Sequence, residues 1–110
     1  MANMLSEPDL RLLTELKDIL THKYGALIDQ FYCYGSRVYA QRQDSDFDLL
    51  IITNRKVSWQ EEHLIYKDIF IFGLEKDVLF DARFFTSNEV YQTDKEMPFL
   101  KNIFSYGISV

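Results

Sequence analysis

A Gly35-Ser36 pair, nine intervening residues and an acidic Asp46-Phe47-Asp48 triplet at the head of the apolar run Leu49-Leu50-Ile51-Ile52 are the residues best suited to chemistry. If 46–53 is a strand, side chains two apart leave the same face, with Cα atoms about 7 Å apart. Asp46 and Asp48 then point together and Phe47 points into the core. Two neighbouring carboxylates repel unless a cation lies between them, and oxygen donors of this kind suit Mg²⁺ or Mn²⁺ held together with substrate phosphates. Gly35 ends the apolar run Phe31-Tyr32-Cys33-Tyr34 and lets backbone approach a ligand closely. Ser36 adds a hydroxyl and an N–H at what reads as a helix start, where unpaired donors favour phosphate. The two halves describe a nucleoside triphosphate held by its tail, with two divalent ions stabilising the attacking and leaving oxygens.

The elements that must position these residues can be read in order. Ser6 caps a first helix, with Pro8 in its first turn and Asp9 placed to complete a capping box. Leu10, Leu12, Leu13, Leu16, Ile19 and Leu20 follow at helical spacing until Tyr24-Gly25 stops the run. A strand is expected over 26–34, a short helix or irregular connection over 36–41, and an exposed loop at Arg42-Gln43-Asp44. The second strand, 47–53, breaks at Asn54-Arg55-Lys56. Ser58 and Glu61 form a second capping box, and Trp59, Leu64, Ile65, Ile69 and Phe72 supply an apolar face up to Gly73. Strand character returns over 75–86, where Asp77, Leu79 and Asp81 alternate with Val78, Phe80 and Ala82. Ser87 caps a short helix, and Pro98 opens another that ends near Tyr106-Gly107.

Length and composition narrow the class. The 110 residues fit one small domain, 1–110, with a single core. An apolar fraction of 47% with nine Phe and seven Tyr describes a folded globule. A net charge of −5 without a basic run argues against direct binding to nucleic acid, which needs clustered Lys and Arg. No signal peptide or membrane-length apolar stretch is legible, so a cytoplasmic chain is the expectation. The aromatics outnumber what one small sheet covers. An exposed apolar patch is therefore expected, through which two copies pair as a homodimer or another protein docks.

Competing readings of single residues fall away on chemistry. An EF-hand beginning at Asp44 would place Leu49 at its glycine position and Arg55 at its glutamate position. Cys33 sits in an apolar run and reads as a buried thiol. His22 and His63 have no second His or Cys at zinc-ligand spacing.

Gly35-Ser36 followed by Asp46-Phe47-Asp48 resembles the signature of the DNA polymerase β-like nucleotidyltransferase superfamily. The length is most similar to its minimal stand-alone members, often the antitoxin partners of HEPN-domain toxins in toxin-antitoxin pairs. The resemblance implies an α/β (α+β) fold with a small mixed sheet flanked by helices. It implies Mg²⁺-dependent transfer of a nucleoside monophosphate, usually AMP from ATP, to a hydroxyl, here expected on a HEPN-type partner protein. It also implies a third metal-binding carboxylate from the neighbouring strand that assists deprotonation of the attacking hydroxyl. Asp77 is favoured, because Lys76-Asp77-Val78-Leu79 resembles the stretch that supplies this acid in close relatives. Asp81 lies on the same face and is the other candidate; its plainer reading is a strand-end acid bonded to nearby backbone or to Arg83. The nucleotide-binding set is Gly35, Ser36 and Arg37. Minimal members continue the Gly-Ser pair with a residue, then Ala-Arg-Gly, where this chain has Arg37-Val38-Tyr39-Ala40. Tyr39 takes the arginine position, which leaves Arg37 or Arg42 to supply charge near the phosphates. This departure keeps a second expectation open, that of a weak or inactive nucleotidyltransferase-fold antitoxin acting by protein contact.

Overall fold

The computed structural model describes residues 5–39, 46–93 and 98–110, and within them the backbone alone at Ser36, Tyr39, Gln92 and Thr93. Helix α1 (Glu7–Tyr24) starts where Ser6 Oγ accepts the Asp9 N–H at 3.2 Å, which satisfies one of the helix's unpaired first donors. Leu13, Leu16 and Leu20 recur at three- and four-residue spacing and are fully buried. After a 3₁₀ turn (Gly25–Leu27) the chain enters strand β1 (Ile28–Tyr34), helix α2 (Ser36–Tyr39) and strand β2 (Phe47–Thr53). Helix α3 (Trp59–Lys76) leads to strand β3 (Phe80–Thr86), and helices α4 (Ser87–Thr93) and α5 (Pro98–Tyr106) precede the two-residue strand β4 (Ile108–Ser109).

The four strands form one mixed sheet in the order β3-β2-β1-β4. Strands β1 and β2 are antiparallel, whereas β2 and β3 run parallel because α3 returns the chain between them. Alternation along β2 sorts its side chains between two cores. Phe47, Leu49 and Ile51 pack with Leu13, Leu16, Ile65, Ile69 and Phe72 of α1 and α3. Leu50 and Ile52 face the other way and pack with Leu100 and Ile103 of α5. Asp48 shares the α5 side, which is how a carboxylate lies in a strand that is otherwise fully apolar up to Thr53.

The helix-flanked mixed sheet is the expected fold. Several local readings need correction. Gly73 does not close α3: the helix continues to Lys76, and the missing side chain at Gly73 admits the Val78 carbonyl, which would lie 2.6 Å from a β-carbon there. Asp77 is the left-handed cap of that helix, at φ 59°, and is not a strand residue; aspartate is one of the few side chains that tolerate this conformation. Alternation over 77–82 imitated a strand, but β3 begins at Phe80. Of the apolar face expected on α3, Ile65, Ile69 and Phe72 are buried, while Trp59 and Leu64 are exposed. The second capping box is present in both directions, Ser58 Oγ accepting from Glu61 N–H and Glu61 Oε1 accepting from Ser58 N–H. Strand β4 has no signal in the sequence, since two residues carry no periodicity. No helix of the described residues is long and apolar enough to cross a membrane.

Candidate active site

The end of β1 delivers Gly35, which adopts φ +87°. Only glycine takes this conformation without steric cost, and a second constraint points the same way. A β-carbon at Gly35 would stand 2.1 Å from Asp48 Oδ2, so the Asp48 carboxylate packs directly on the glycine. Tyr34 and Asp48 are paired residues of the antiparallel ladder, which sets this contact. The turn is closed by the Val38 N–H donating to the Gly35 carbonyl at 2.9 Å. With only four residues in α2, the turn offers close backbone approach and no appreciable helix dipole.

Across β2 on its other side, Asp48 pairs in parallel register with Asp81. Residues in register on neighbouring strands share a face at a strand spacing of about 4.8 Å. Asp46 immediately precedes β2 and is exposed. The electrostatics reflect this grouping: burial raises the Asp48 pKa, the Asp81 and Asp46 charges raise it further, and Arg83 opposes them. Arg83 follows Asp81 by two residues on the same strand face and lies 5.3 Å from the Phe99 ring centroid. It also reaches the Tyr34 hydroxyl. Burial pushes the Tyr34 pKa up to about 12, with Arg83 lowering it and Asp48 and Asp81 raising it. Tyr34 and Phe99 meet edge to face at 5.5 Å, closing the α5 side of the group.

The residues singled out from the sequence are thus divided. Gly35, Asp46 and Asp48 are brought together. Asp77 is not: it caps α3, and Asp81 is the acid beside Asp48. The Ser36 and Tyr39 side chains, and Ala40 and Arg42 entirely, lie outside what the structure describes. Arg37 is engaged in the interior. Its Nη2 donates to Asp9 Oδ1 at 3.2 Å, both side chains are nearly buried, and the guanidinium lies over the Phe47 ring. Asp9 therefore serves Arg37 rather than completing the α1 capping box. A capping-box role explains Asp9 locally, so nothing near it in sequence signals the pairing with Arg37; Arg83, which the sequence offers only as a partner for Asp81, joins the site by its place on the same strand face.

The donor set fits a divalent metal in type. Among the described residues no group of three or more His, Cys, Asp or Glu side chains has the arrangement of a metal site. Cys33 is buried as expected, and burial, then Asp48 and Asp9, push its thiol up to about 12, which makes it a poor nucleophile. Away from the carboxylates, Tyr66, Phe70, Leu74 and Leu79 border an apolar groove of about 230 Å³ between α3 and the start of β3.

No curated protein matches this chain. The family model described as the nucleotidyltransferase domain, however, matches residues 13–107, from the middle of α1 to the end of α5, and so spans Gly35, Asp46, Asp48 and Asp81. On that match, and with a mixed sheet whose carboxylates meet at one edge of the Gly-Ser turn, the chain belongs to the nucleotidyltransferase domain family.

Proposed function

We propose that this protein transfers a nucleoside monophosphate, AMP from ATP, to a hydroxyl group, and that Asp46, Asp48 and Asp81 are the carboxylates of the reaction. The observation that carries this reading is the packing of Asp48 against Gly35 on one side and its register with Asp81 on the other. Asp46 and Asp48 would hold divalent magnesium, with manganese as a substitute, and Asp81 would share one ion. Such ions supply Lewis-acid stabilisation of the charge on the transferring phosphoryl group. Gly35 keeps the turn backbone close enough to meet the β- and γ-phosphates, with Ser36 beside it. The acceptor oxygen attacks the α-phosphorus, the bond from that phosphorus to the oxygen bridging to the β-phosphate breaks, and pyrophosphate leaves with the electron pair. Asp81 takes the acceptor proton; as the exposed member of the in-register pair it is reachable by an incoming hydroxyl. Tyr34, Phe99 and Arg83 wall the α5 side, where Arg83 offers a cation to phosphate oxygens.

The acceptor in this reading is a protein, of the HEPN type that accompanies minimal nucleotidyltransferases as an antitoxin pair. The exposed aromatic and aliphatic side chains along the α3 groove, Phe70, Leu74 and Leu79 among them, support a protein-docking role. The same groove favours a second reading, in which the chain neutralises its partner by contact and transfers nothing. Incubation with ATP labelled at either the α- or the γ-phosphate, together with the product of the adjacent reading frame, separates the two. Label from the α-position alone on the partner, with release of pyrophosphate, is expected for transfer; complex formation without label overturns it.

A further inference from the structure

Each part of the site has a neighbour in sequence that points the opposite way, into the core, and these neighbours touch. Arg37 follows the Gly35-Ser36 turn, Phe47 separates Asp46 from Asp48, and Phe80 precedes Asp81. The Arg37 Cζ lies 4.0 Å from the Phe47 ring centroid, and the Phe47 and Phe80 rings stack with centroids 5.2 Å apart at an interplanar angle of 25°. Phe80 in turn meets Phe72 of α3 at 6.0 Å. At the other end the Arg37 guanidinium is fixed by Asp9 of α1, with the two side chains only 9% and 12% exposed.

We infer that Asp9, Arg37, Phe47 and Phe80 form an interior column that fixes the Gly35-Ser36 turn, the Asp46/Asp48 pair and Asp81 relative to one another, with Arg37 and Asp9 as positioning residues that do not touch the nucleotide. A strand transmits side-chain direction by strict alternation, so tilting Phe47 re-aims both flanking aspartates. A planar guanidinium can stack on a ring and donate to a carboxylate at its edge simultaneously, which lysine cannot do. Asp9 sits in the first turn of α1, where the helix dipole favours its charge and the Ser6 cap holds its backbone. The inference rests on reading Gly35, Asp48 and Asp81 as the nucleotide site.

The decisive comparison is between Asp9→Asn and Arg37→Met, with Asp9→Leu/Arg37→Met as a double variant that replaces the buried pair by apolar groups of similar volume and so retains the fold. If the column positions the site, Asp9→Asn and Arg37→Met both lower kcat for transfer by about tenfold or more with a smaller change in KM, and the well-folded double variant does the same. Arg37→Lys rescues only part of the loss. If Arg37 instead bound phosphate, Arg37→Met would raise KM while Asp9→Asn left kcat and KM unchanged, and the inference would be wrong. Amide hydrogen exchange gives a readout that needs no nucleotide. In Asp9→Asn the amides at Val38, Asp48 and Asp81 exchange about tenfold faster while those at Leu16 and Ile69 do not change. Uniform exchange across both sets overturns the column. A native chain that binds no nucleotide but shows the selective exchange leaves the column standing and removes the proposed reaction.

Discussion

Gly35 and Asp48 are in direct contact: a β-carbon on the glycine would come within 2.1 Å of Asp48 Oδ2, at a backbone φ of +87°. Gly35→Ala must therefore strain the turn and displace the carboxylate together. Gly25 is the internal control, because it also has positive φ, +64°, but has nothing within 4 Å of its missing side chain. Gly25→Ala should cost about 1–3 kcal/mol for the backbone alone, because φ 64° with ψ −139° is a region that glycine occupies freely and other residues do not. Gly35→Ala should cost roughly 1–3 kcal/mol more and weaken binding of Mg²⁺ and ATP. Urea unfolding of the two variants checks this, and equal costs would contradict the contact.

The identity of the third carboxylate is tested by two asparagines. Asp81→Asn should reduce transfer by about 10²–10⁴-fold, the usual range for loss of a general base, without unfolding the chain. Asp77→Asn should leave the rate unchanged, because asparagine is at home in the left-handed cap that Asp77 occupies. The reverse pattern, measured as pyrophosphate release, would return the role to Asp77.

Stability should vary with pH in a way that names two residues. Burial and the neighbouring Asp81 and Asp46 raise the Asp48 pKa above 3.8, so the folded state holds its proton longer than the unfolded chain. Stability contributed by that proton is present below 3.8 and falls as pH rises through the folded pKa. Glu61 behaves oppositely. The Arg55 guanidinium and the Ser58 N–H lower its pKa to about 2, so its contribution is complete above 4.5 and is lost as pH falls toward 2. Asp48→Asn removes the first slope and should stabilise the protein at pH 7 by about half a kcal/mol, a modest figure because the group is partly solvated. Thermal melts from pH 3 to pH 7 provide the check; a neutral-pH loss of stability in Asp48→Asn would be inconsistent with a strained carboxylate.

Much of the frame was legible because its signals are local. Ser6 and Ser58 announce helices through donors they satisfy themselves, and the leucine spacing of α1 needs only the helical period. The placement of Gly35 and of Asp46-Phe47-Asp48 followed from one strand ending in glycine and another opening in acid. What escaped depended on partners distant in sequence. Nothing near Gly73 shows that the Val78 carbonyl will occupy its missing side chain, so the glycine reads as a stop and strand character reads back to 75, whereas β3 begins at Phe80 and Asp77 caps the helix. Asp9 and Arg37 lie 28 residues apart and each has a sound local explanation, so their burial as a pair could be seen only in the packed core. Strand β4 exists because β1 has an open edge beside Ile108, a property of the sheet rather than of two residues.

The most direct test of the account is the thermal shift of the native chain and of Asp48→Asn with Mg²⁺ and ATP. At 100 times its dissociation constant the nucleotide should add about 2.7 kcal/mol to the native chain, on the order of 10 °C in Tm for a domain of this size. The shift should vanish when Mg²⁺ is chelated and should be absent in Asp48→Asn at the same concentrations. A native chain that melts at the same temperature with and without Mg²⁺ and ATP, or a variant that shifts as far as the native chain, would contradict the assignment of Asp48 to a metal-nucleotide site.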